Sequence, residues 1–300
     1  MNAVTKITFM NDDGEKFFGE GPATLLREID KTGSLRAAAI SMGMAYTKAL
    51  KLMKRAEDVL GFSLITRTTG GKSGGGSILT PEGIRWLRQY EVYRDACIKA
   101  NQELYRSFFP KIGCVIMASG LGKRFGSNKL MADFHGEPMI QRVMRATDGL
   151  FSRRVVVTRH ESVAALCREQ GAEVVFHDLP HRSDTVRLGL EALGDMDACM
   201  FLPGDQPMLR RETVAMLLKN WETNPDSIVR PAYEDNEGSP VLFPSWSFPE
   251  LLDLPEGKGG GVVIKNHPHA VRRVSVADPF ELADVDTPET LELLKDHCHD

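Results

Sequence analysis

The sequence lacks the features that mark membrane and secreted proteins. No stretch approaches the eighteen or so consecutive apolar residues that a membrane-spanning helix needs. Residues 1–16 are polar and acidic, which is not the pattern of a signal peptide. The five cysteines are scattered, with no CxxC pair and no zinc-like Cys/His spacing, and this indicates reduced structural thiols. We therefore expect a cytoplasmic protein with no membrane partner.

Charge is distributed unequally along the chain. Residues 1–110 hold 16 Lys and Arg against 12 Asp and Glu, a net charge of +4, and residues 111–300 hold 21 against 29, a net charge of −8. A basic segment suits a polyanionic partner, whereas an acidic one suits a soluble enzyme. The 300 residues leave room for two globular domains. We expect these domains to be residues 1–110 and 111–300.

The first domain reads as three helices. One follows Pro22 and stops at Gly33, a second runs from Ser34 to Gly43, and a third spans about 45–60. Short helices joined by a tight glycine turn are typical of a helix-turn-helix. The third helix has an apolar face of Tyr46, Ala49, Leu50, Met53 and Ala56. Its opposite face is predicted to bind DNA through Thr47, Lys48, Lys51, Lys54 and Arg55.

A wing and a long helix follow the three helices. Two strands, at 62–68 and from Ile78, flank a glycine-rich tip whose Lys72 is also predicted to contact DNA. One helix is expected from Pro81 to about Phe109. Its dimer seam is predicted to hold Ile84, Leu87, Val92, Ala96 and Leu104, which favours a homodimer. The alternative is that these helices only pack and dimerise, without binding DNA.

Three motifs make a resemblance specific. They are TGSLRAAA at 32–39, MAYTKA at 44–49, and TGGKSGGGS at 69–77 followed by LTPEG. Together they resemble the N-terminal winged helix-turn-helix domain of the molybdate-responsive transcription regulators. The resemblance implies a DNA-binding domain. However, no molybdate-binding domains follow it in this sequence.

The second domain alternates strands and helices. Apolar β runs at 112–117, 155–158, 173–176, 198–202 and 227–232 are separated by helical stretches around 139–147, 163–170, 183–193 and 213–220. This alternation predicts an α/β domain with a mostly parallel sheet. Active sites in such sheets lie at the carboxyl ends of the strands.

A glycine loop follows the first of these strands. Its pattern GxGxRxGxxK, from Gly120 to Lys129, differs from both the Walker A motif and the dinucleotide fingerprint. Gly120, Gly122 and Gly126 let backbone amides approach an anion. Arg124 and Lys129 add positive charge, as binding of a triphosphate requires. We assign catalytic roles to Arg124, Lys129 and Asp205.

Carboxylates in two later segments are candidate Mg²⁺ ligands. Asp205 lies just beyond a strand end, and Asp286 lies in FELADVDTPE at 280–289. We expect Asp284 and Asp286 to face opposite ways, with only Asp286 towards the metal. Arg182 and Thr185 begin a helix that could meet the nucleotide. A phosphate group that acts as the nucleophile is already ionised and needs no general base. This fits the absence of a well-placed histidine in these motifs.

These segments resemble the molybdenum cofactor cytidylyltransferase and guanylyltransferase family. The resemblance implies a Rossmann-like nucleotidyltransferase domain of the nucleotide-diphospho-sugar transferase type, which transfers a nucleotide to a molybdopterin-type phosphorylated acceptor. Ala118-Ser119-Gly120 is closer to the cytidylyl branch, so CTP is favoured over GTP. The expected substrate-binding residues are Ala118, Ser119, Gly120, Gly122, Arg182, Thr185, Gly204, Gly238 and Lys258.

Departures from the family keep other functions open. EGKGGG at 256–261 stands where the family often has Gly-Asp-x-Gly-Ala-Arg, and serine replaces histidine in GSPVLF at 238–243. Lys258 could supply the charge of the lost arginine. One alternative is a transcription regulator whose second domain senses nucleotide or cofactor without turnover. Another is a nucleotidyltransferase that uses GTP or a sugar-phosphate acceptor.

Overall fold

The computed structural model describes residues 3–68, 76–122, 124–126 and 128–298. Contacts divide the chain into two compact units, Met1–Phe108 and Phe109–Asp300. Among the described residues, no helix is both long and apolar enough to span a bilayer. All five cysteines are free thiols.

The first unit is a helix-turn-helix with a two-stranded wing. Its elements are β1 (Thr8–Met10), β2 (Lys16–Gly19), α1 (Glu20–Thr32), α2 (Leu35–Ser41), α3 (Tyr46–Leu60), β3 (Ile65–Thr68), β4 (Gly76–Leu79) and α4 (Pro81–Phe108). Gly33 ends α1 in the left-handed conformation at φ +66°, which glycine adopts without a steric penalty. Ser34 caps α2 by accepting a hydrogen bond from Ala37 N. These local signals are the ones that the sequence predicts.

The wing pairs β3 with β4 in antiparallel register, with Ile65 opposite Leu79. Ser77 N donates to Gly33 O at 2.8 Å, which ties the return strand of the wing to the end of α1. Residues 69–75, including the predicted DNA contact Lys72, lie outside the described part of the chain. The two strands of the wing, β3 and β4, overlap the two segments that the sequence predicts as strands.

Two expectations for this unit are wrong. Tyr46 is 44% exposed and does not belong to the apolar face of α3. It is the first residue of this helix, and burial in the core begins only one turn later, at Ala49. Leu87 is only 9% exposed and packs in the core of this unit, so it is not part of an open seam on α4. Ile84, Val92 and Leu104 of the predicted seam are exposed.

The second unit is a mixed sheet flanked by helices. Its strands are β5 (Ile112–Ala118), β6 (Asp133–Phe134), β7 (Glu137–Pro138), β8 (Arg153–Thr158), β9 (Glu173–Phe176), β10 (Ala198–Pro203), β11 (Ile228–Tyr233), β12 (Asn236–Glu237), β13 (Val241–Pro244) and β14 (Val271–Ser275). Its helices are α5 (Met139–Ala146), α6 (Glu161–Glu169), α7 (Arg182–Leu193), α8 (Arg211–Thr223), α9 (Phe248–Leu252), α10 (Gly261–Asn266) and α11 (Pro288–His297).

The large sheet has the strand order β12-β11-β13-β10-β5-β8-β9, and β14 pairs with β11. The four strands β10, β5, β8 and β9 run parallel, as the βα alternation predicts. The antiparallel strand β13 between β10 and β11 is not predicted. Because the parallel strands share a direction, the loops that follow β5, β8, β9 and β10 meet along one edge of the sheet.

A prediction concerns the glycine at the start of α4. A Cβ at Gly83 would lie 2.2 Å from Leu64 O, which belongs to the backbone and cannot rotate away. We expect Gly83→Ala to destabilise the first unit by about 1–3 kcal/mol. Gly21→Ala on α1, where a Cβ meets nothing within 4 Å, is the matched control and should be neutral or stabilising. Urea denaturation, with amide exchange on α1 to α3, measures both; equal stabilities would contradict the clash.

Candidate active site

A cavity of about 450 Å³ lies at the carboxyl edge of the parallel strands of the second unit. The glycine loop, residues 119–126, leaves β5 and forms part of its wall through Ser119 and Gly120. A Cβ at Gly120 would meet nothing within 4 Å, so its backbone lies open. Gly122 has φ +56°, which favours glycine. Gly120 therefore presents open backbone at the wall of the cavity.

Two carboxylates from distant segments converge on one ammonium group in this cavity. Lys129 Nζ lies 2.6 Å from Asp205 Oδ2 and 3.0 Å from Asp286 Oδ1. Asp205 follows β10, and Asp286 precedes α11. Arg124 Nη2 contacts the other oxygen of Asp286 at 2.8 Å. The structure thus brings together all four charged residues that the sequence singles out for phosphate and metal binding.

The electrostatics of this cluster are strongly coupled. Burial of Lys129 favours its neutral form, but the charges of Asp205 and Asp286 outweigh burial and raise its pKa above the usual value. The hydrogen bond from Lys129, together with the nearby Arg124, holds the pKa of Asp286 below its usual range. Lys129 and Asp286 therefore carry full charges at neutral pH.

The expectation that Asp284 faces away from the cavity is wrong. Both Asp284 and Asp286 line it, whereas Val285 between them is fully buried. Side chains two residues apart share a face of an extended segment, so the correct reading of the spacing puts both aspartates on one side. Burial and the charge of Asp205 raise the pKa of Asp284 to about 6.

The donor set fits a hard divalent cation bound with its substrate. Among the residues that the structure describes, no group of three or more His, Cys, Asp or Glu side chains could hold a metal. Asp205 and Asp286 nevertheless each direct a carboxylate oxygen at the same place, which the ammonium group of Lys129 occupies. Mg²⁺ typically binds proteins through one or two carboxylates, and substrate phosphates and water complete its shell.

A second cavity, of about 650 Å³, adjoins the first and shares Met117, Arg182, Pro203 and Ser239 with it. Its wall includes the rings of Phe201 and Phe243, which pack edge to face. Its cationic residues are Arg182, Arg230, Lys258 and Lys265. It therefore combines an apolar wall with several positive charges next to the first cavity.

Arg182 is the cationic side chain common to both cavities. It begins α7 and lies against Gly259, where a Cβ would come within 3.0 Å of Arg182 Nε. The glycines of the 256–261 loop therefore allow the backbone to approach this guanidinium closely.

The predicted substrate-binding residues divide between these places. Ser119, Gly120, Arg182 and Thr185 line the first cavity, and Lys258 lines the second. The other four, Ala118, Gly122, Gly204 and Gly238, are outside both linings. Gly204 and Gly238 instead permit close packing, against Met117 O and Leu282 respectively.

The expectation of no well-placed histidine is also wrong. His181 lines the first cavity, His160 contacts the backbone of Gly120, and His177 contacts Ser119. Their positions after β8 and β9 are a signal that the sequence contains. That signal is weak, because a single polar residue after a strand does not reveal which loop it faces.

The candidate DNA-binding face of the first unit lies on α3. Thr47, Lys48, Lys51, Lys54 and Arg55 are all exposed. Arg55 pairs with Glu15 at 3.0 Å. The predicted basic face therefore lies at the surface of this unit.

The fold and the sequence together define a nucleotidyltransferase domain joined to a helix-turn-helix domain. A family model described as "MobA-like NTP transferase domain" matches residues 114–271, more than half of the chain. The chain belongs to this family. A second model, "Bacterial regulatory helix-turn-helix protein, lysR family", matches residues 23–84. The helix-turn-helix prediction is confirmed, with the lysR family as the matching model.

Several curated relatives are similar to portions of this chain. A 3-deoxy-manno-octulosonate cytidylyltransferase of Halorhodospira halophila is 33% identical over 35% of this chain and 45% of its own length. A protein of Aquifex aeolicus named "Probable molybdenum cofactor guanylyltransferase" is 26% identical over 36% of this chain and 53% of its length. The molybdenum-pterin-binding protein MopB of Rhodobacter capsulatus is 36% identical over 24% of this chain and 27% of its length. The chain spans about half or less of these relatives.

Solved structures share the fold of the second unit. Rv0371c of Mycobacterium tuberculosis H37Rv aligns with a TM-score of 0.56 at 22% identity, over 62% of this chain and 98% of its own. The same protein in complex with manganese has a TM-score of 0.53, with 20% identity over 63% and 100%. A CMP:2-keto-3-deoxy-manno-octonic acid synthetase complexed with CTP has a TM-score of 0.52, with 20% identity over 62% and 98%.

A prediction tests the charge coupling around Lys129. In Asp205→Asn the pKa of Lys129 should fall below its wild-type value, because burial then acts against less negative charge. The pH dependence of the Lys129 Cε chemical shift measures this pKa, and Lys129→Arg assigns the signal. Asp253→Asn at an exposed position is the control and should leave the pKa unchanged. An unchanged or higher pKa in Asp205→Asn would contradict the ion pair.

Proposed function

We propose that the second unit transfers CMP from CTP to a molybdopterin-type phosphorylated acceptor and releases pyrophosphate. One observation carries this proposal: Asp205 and Asp286 meet at Lys129 Nζ in the cavity that the glycine loop borders. The cavity therefore has carboxylate oxygens that could bind a metal, cations and open backbone close together. A triphosphate needs all three, because its charge must be neutralised and its groups aligned.

In the proposed reaction, an acceptor phosphate oxygen attacks the α-phosphorus of CTP. The bond from that phosphorus to the bridging oxygen breaks, and pyrophosphate leaves with the electron pair. The nucleophile is already ionised, so no residue has to remove a proton from it. The tasks of the chain are therefore to hold two anions in line and to stabilise the charge of the leaving group.

Each residue of the cluster has a distinct part in this proposal. Lys129 and Arg124 hold the β and γ phosphates together with the loop amides. Asp205 and Asp286 would hold Mg²⁺, which when bound supplies Lewis-acid stabilisation of the phosphate oxygens. Arg182 and Thr185 contact the nucleotide from the start of α7. The manganese complex of the structural relative supports a divalent ion in this fold.

The choice of CTP rests on the loop and on the relatives. Ser119 places a Cβ in the wall of the cavity, at the position where the guanylyl branch of the resembled family typically has glycine. Two curated enzymes similar to this chain are named as cytidylyltransferases. The choice of acceptor rests on the second cavity, whose aromatic wall suits a fused ring and whose cations, Lys258 among them, suit a phosphate.

We propose that the first unit has a regulatory role in the cytoplasm. Its exposed α3 lysines suit DNA phosphates, and MopB, a molybdenum-pterin-binding protein, matches the sequence at 36% identity. We propose that it binds DNA as a homodimer; Ile84, Val92 and Leu104 of α4 are exposed apolar residues available to such contacts. A regulator that senses its ligand without turnover is the second candidate, and the altered 256–261 loop favours it.

A turnover experiment tests the enzymatic proposal. Pyrophosphate release by the full chain should require CTP and molybdenum cofactor, and should be slower with GTP. Asp205→Ala should lower the rate by about a hundredfold or more while the circular dichroism spectrum is kept. Asp253→Ala at an exposed site is the matched control and should retain activity.

The other outcomes discriminate between the alternatives. Faster release with GTP would overturn the choice of nucleotide. Release with 3-deoxy-manno-octulosonate or a sugar phosphate instead of the cofactor would overturn the choice of acceptor. Nucleotide binding without release for any acceptor would leave the sensor as the function.

A salt titration tests DNA binding. Lys48→Ala and Lys51→Ala should each weaken binding to a labelled duplex of mixed sequence, because each removes a phosphate contact. Each should also reduce the slope of log K against log salt by about one. Lys219→Ala, exposed on the second unit, is the control. Fluorescence anisotropy with unchanged slopes, or no binding at low salt, would refute the proposed face.

A further inference from the structure

We propose that His160 and His177 are positioning residues that clamp the glycine loop in the conformation that receives the triphosphate. The inference rests on the proposed function of the first cavity, and it assigns roles to two residues outside the phosphate and metal cluster. The clamp consists of a hydrogen bond from each histidine to the first residues of the loop, Ser119 and Gly120. Neither histidine needs to touch substrate.

The contacts of His177 determine its tautomer. Leu179 N donates to His177 Nδ1 at 3.1 Å, so the proton of the neutral ring is on Nε2. His177 Nε2 lies 2.8 Å from Ser119 Oγ and donates to it. Ser119 Oγ in turn donates to Val157 O at 3.1 Å. The hydroxyl of Ser119 is thereby held between two parts of the sheet.

The environment of His177 favours this neutral form. The residue is only 9% exposed, and burial, together with the nearby Arg159 guanidinium, lowers its pKa. A neutral imidazole with Nε2–H satisfies both of its nitrogens here without a change of rotamer. The bond to Ser119 therefore persists at neutral pH.

His160 holds the next residue of the loop. His160 Nε2 lies 2.8 Å from Gly120 O, and a carbonyl oxygen can only accept, so the proton is on this nitrogen. A backbone carbonyl is thus fixed at a residue whose own Cα carries no side chain to anchor it. With its carbonyl held, the peptide plane that follows Gly120 is also oriented.

Thr158, at the end of β8, connects the two histidines to β5. Its buried hydroxyl donates to Ala118 O at 2.9 Å and accepts from His160 N at 3.1 Å. Its carbonyl accepts from His177 N at 3.1 Å. The backbones of both histidines are therefore hydrogen-bonded to one residue at the end of a sheet strand, beside the start of the loop. The sheet thus holds the two residues of the clamp in place.

A clamp of this kind has a consequence for nucleotide binding. A glycine-rich loop has many accessible conformations, and a ligand that must select one of them binds more weakly. Hydrogen bonds that hold the loop before the nucleotide arrives remove that cost. The clamp should therefore act chiefly on nucleotide affinity, whereas removal of a cluster residue such as Asp205 acts chiefly on turnover.

The experiment compares leucine and glutamine substitutions in the full chain. His177→Leu should raise the KM for CTP by about tenfold, as expected for loss of a part-buried hydrogen bond, with little change in kcat. His160→Leu should raise the KM by a smaller factor, because its hydrogen bond to Gly120 is exposed. His177→Gln and His160→Gln, which keep an N–H near the position of Nε2, should restore most of the affinity. His269→Leu at an exposed position is the control and should match wild type.

A double-mutant cycle separates the clamp from a general structural role. Ser119→Ala removes the acceptor of the His177 bond, so the double variant Ser119→Ala/His177→Leu should bind CTP no more weakly than the worse single variant. Additive losses, or leucine variants with wild-type KM, would overturn the proposal. If a leucine variant fails to fold, the CTP affinities of the glutamine variants and of Ser119→Ala test the proposal instead. A loss of CTP affinity that glutamine does not restore would refute the role of the histidine hydrogen bond.

Hydrogen exchange distinguishes this inference from the proposed function. Without nucleotide, the amides of residues 119–122 should exchange faster in His177→Leu and His160→Leu than in wild type, and protection in α8 should stay unchanged. That result supports the clamp even if the wild type neither binds CTP nor releases pyrophosphate, which would refute the proposed function alone. Equal exchange of the loop in all variants would refute the clamp alone.

Discussion

The cavity of the second unit is organised around the repulsion between Asp205 and Asp286. Their segments are far apart in sequence, and a cation between their carboxylates lets both stay ionised at close range. Lys129 supplies that cation and is itself largely buried, so each of the three charges depends on the others. The strands β5 and β10 are parallel neighbours, and the segment that leads to Lys129 follows β5 while Asp205 follows β10, so this pair of strands supports the arrangement. The glycine loop, the second cavity and the histidines are all placed with respect to it.

Under the proposed function, the three charges of Lys129, Asp205 and Asp286 suit phosphate transfer. The carboxylates that share this ammonium group would take a divalent ion in its place when a triphosphate supplies further oxygens. Lys129 is then available to a phosphate without leaving the cavity. The same charges serve the free protein as stabilising ion pairs and serve the proposed reaction as ligands and counterions. This dual use requires the loop between β5 and Lys129 to be well positioned.

Much of this arrangement could be predicted from the sequence, because the signals are local. The cap at Ser34, the left-handed Gly33, and the apolar runs of β5 and β10 each depend on a few neighbouring residues. The pairing of strands that are far apart in the sequence is harder to predict. The antiparallel insertion of β13 depends on strand order, which short apolar runs do not specify. The face of Asp284 follows from the period of two in an extended segment, which puts its side chain on the same side as that of Asp286.

Arg182 lies in the walls of both cavities, and this has a thermodynamic consequence under the proposed function. One guanidinium attracts two polyanions, so whichever arrives first screens the charge that would attract the other. The electrostatic parts of the two binding events are then antagonistic, and linkage makes this antagonism reciprocal. A dinucleotide product that joins both groups reaches across the same residue. Its release, and the order in which reactants enter, would therefore respond to ionic strength through a single side chain.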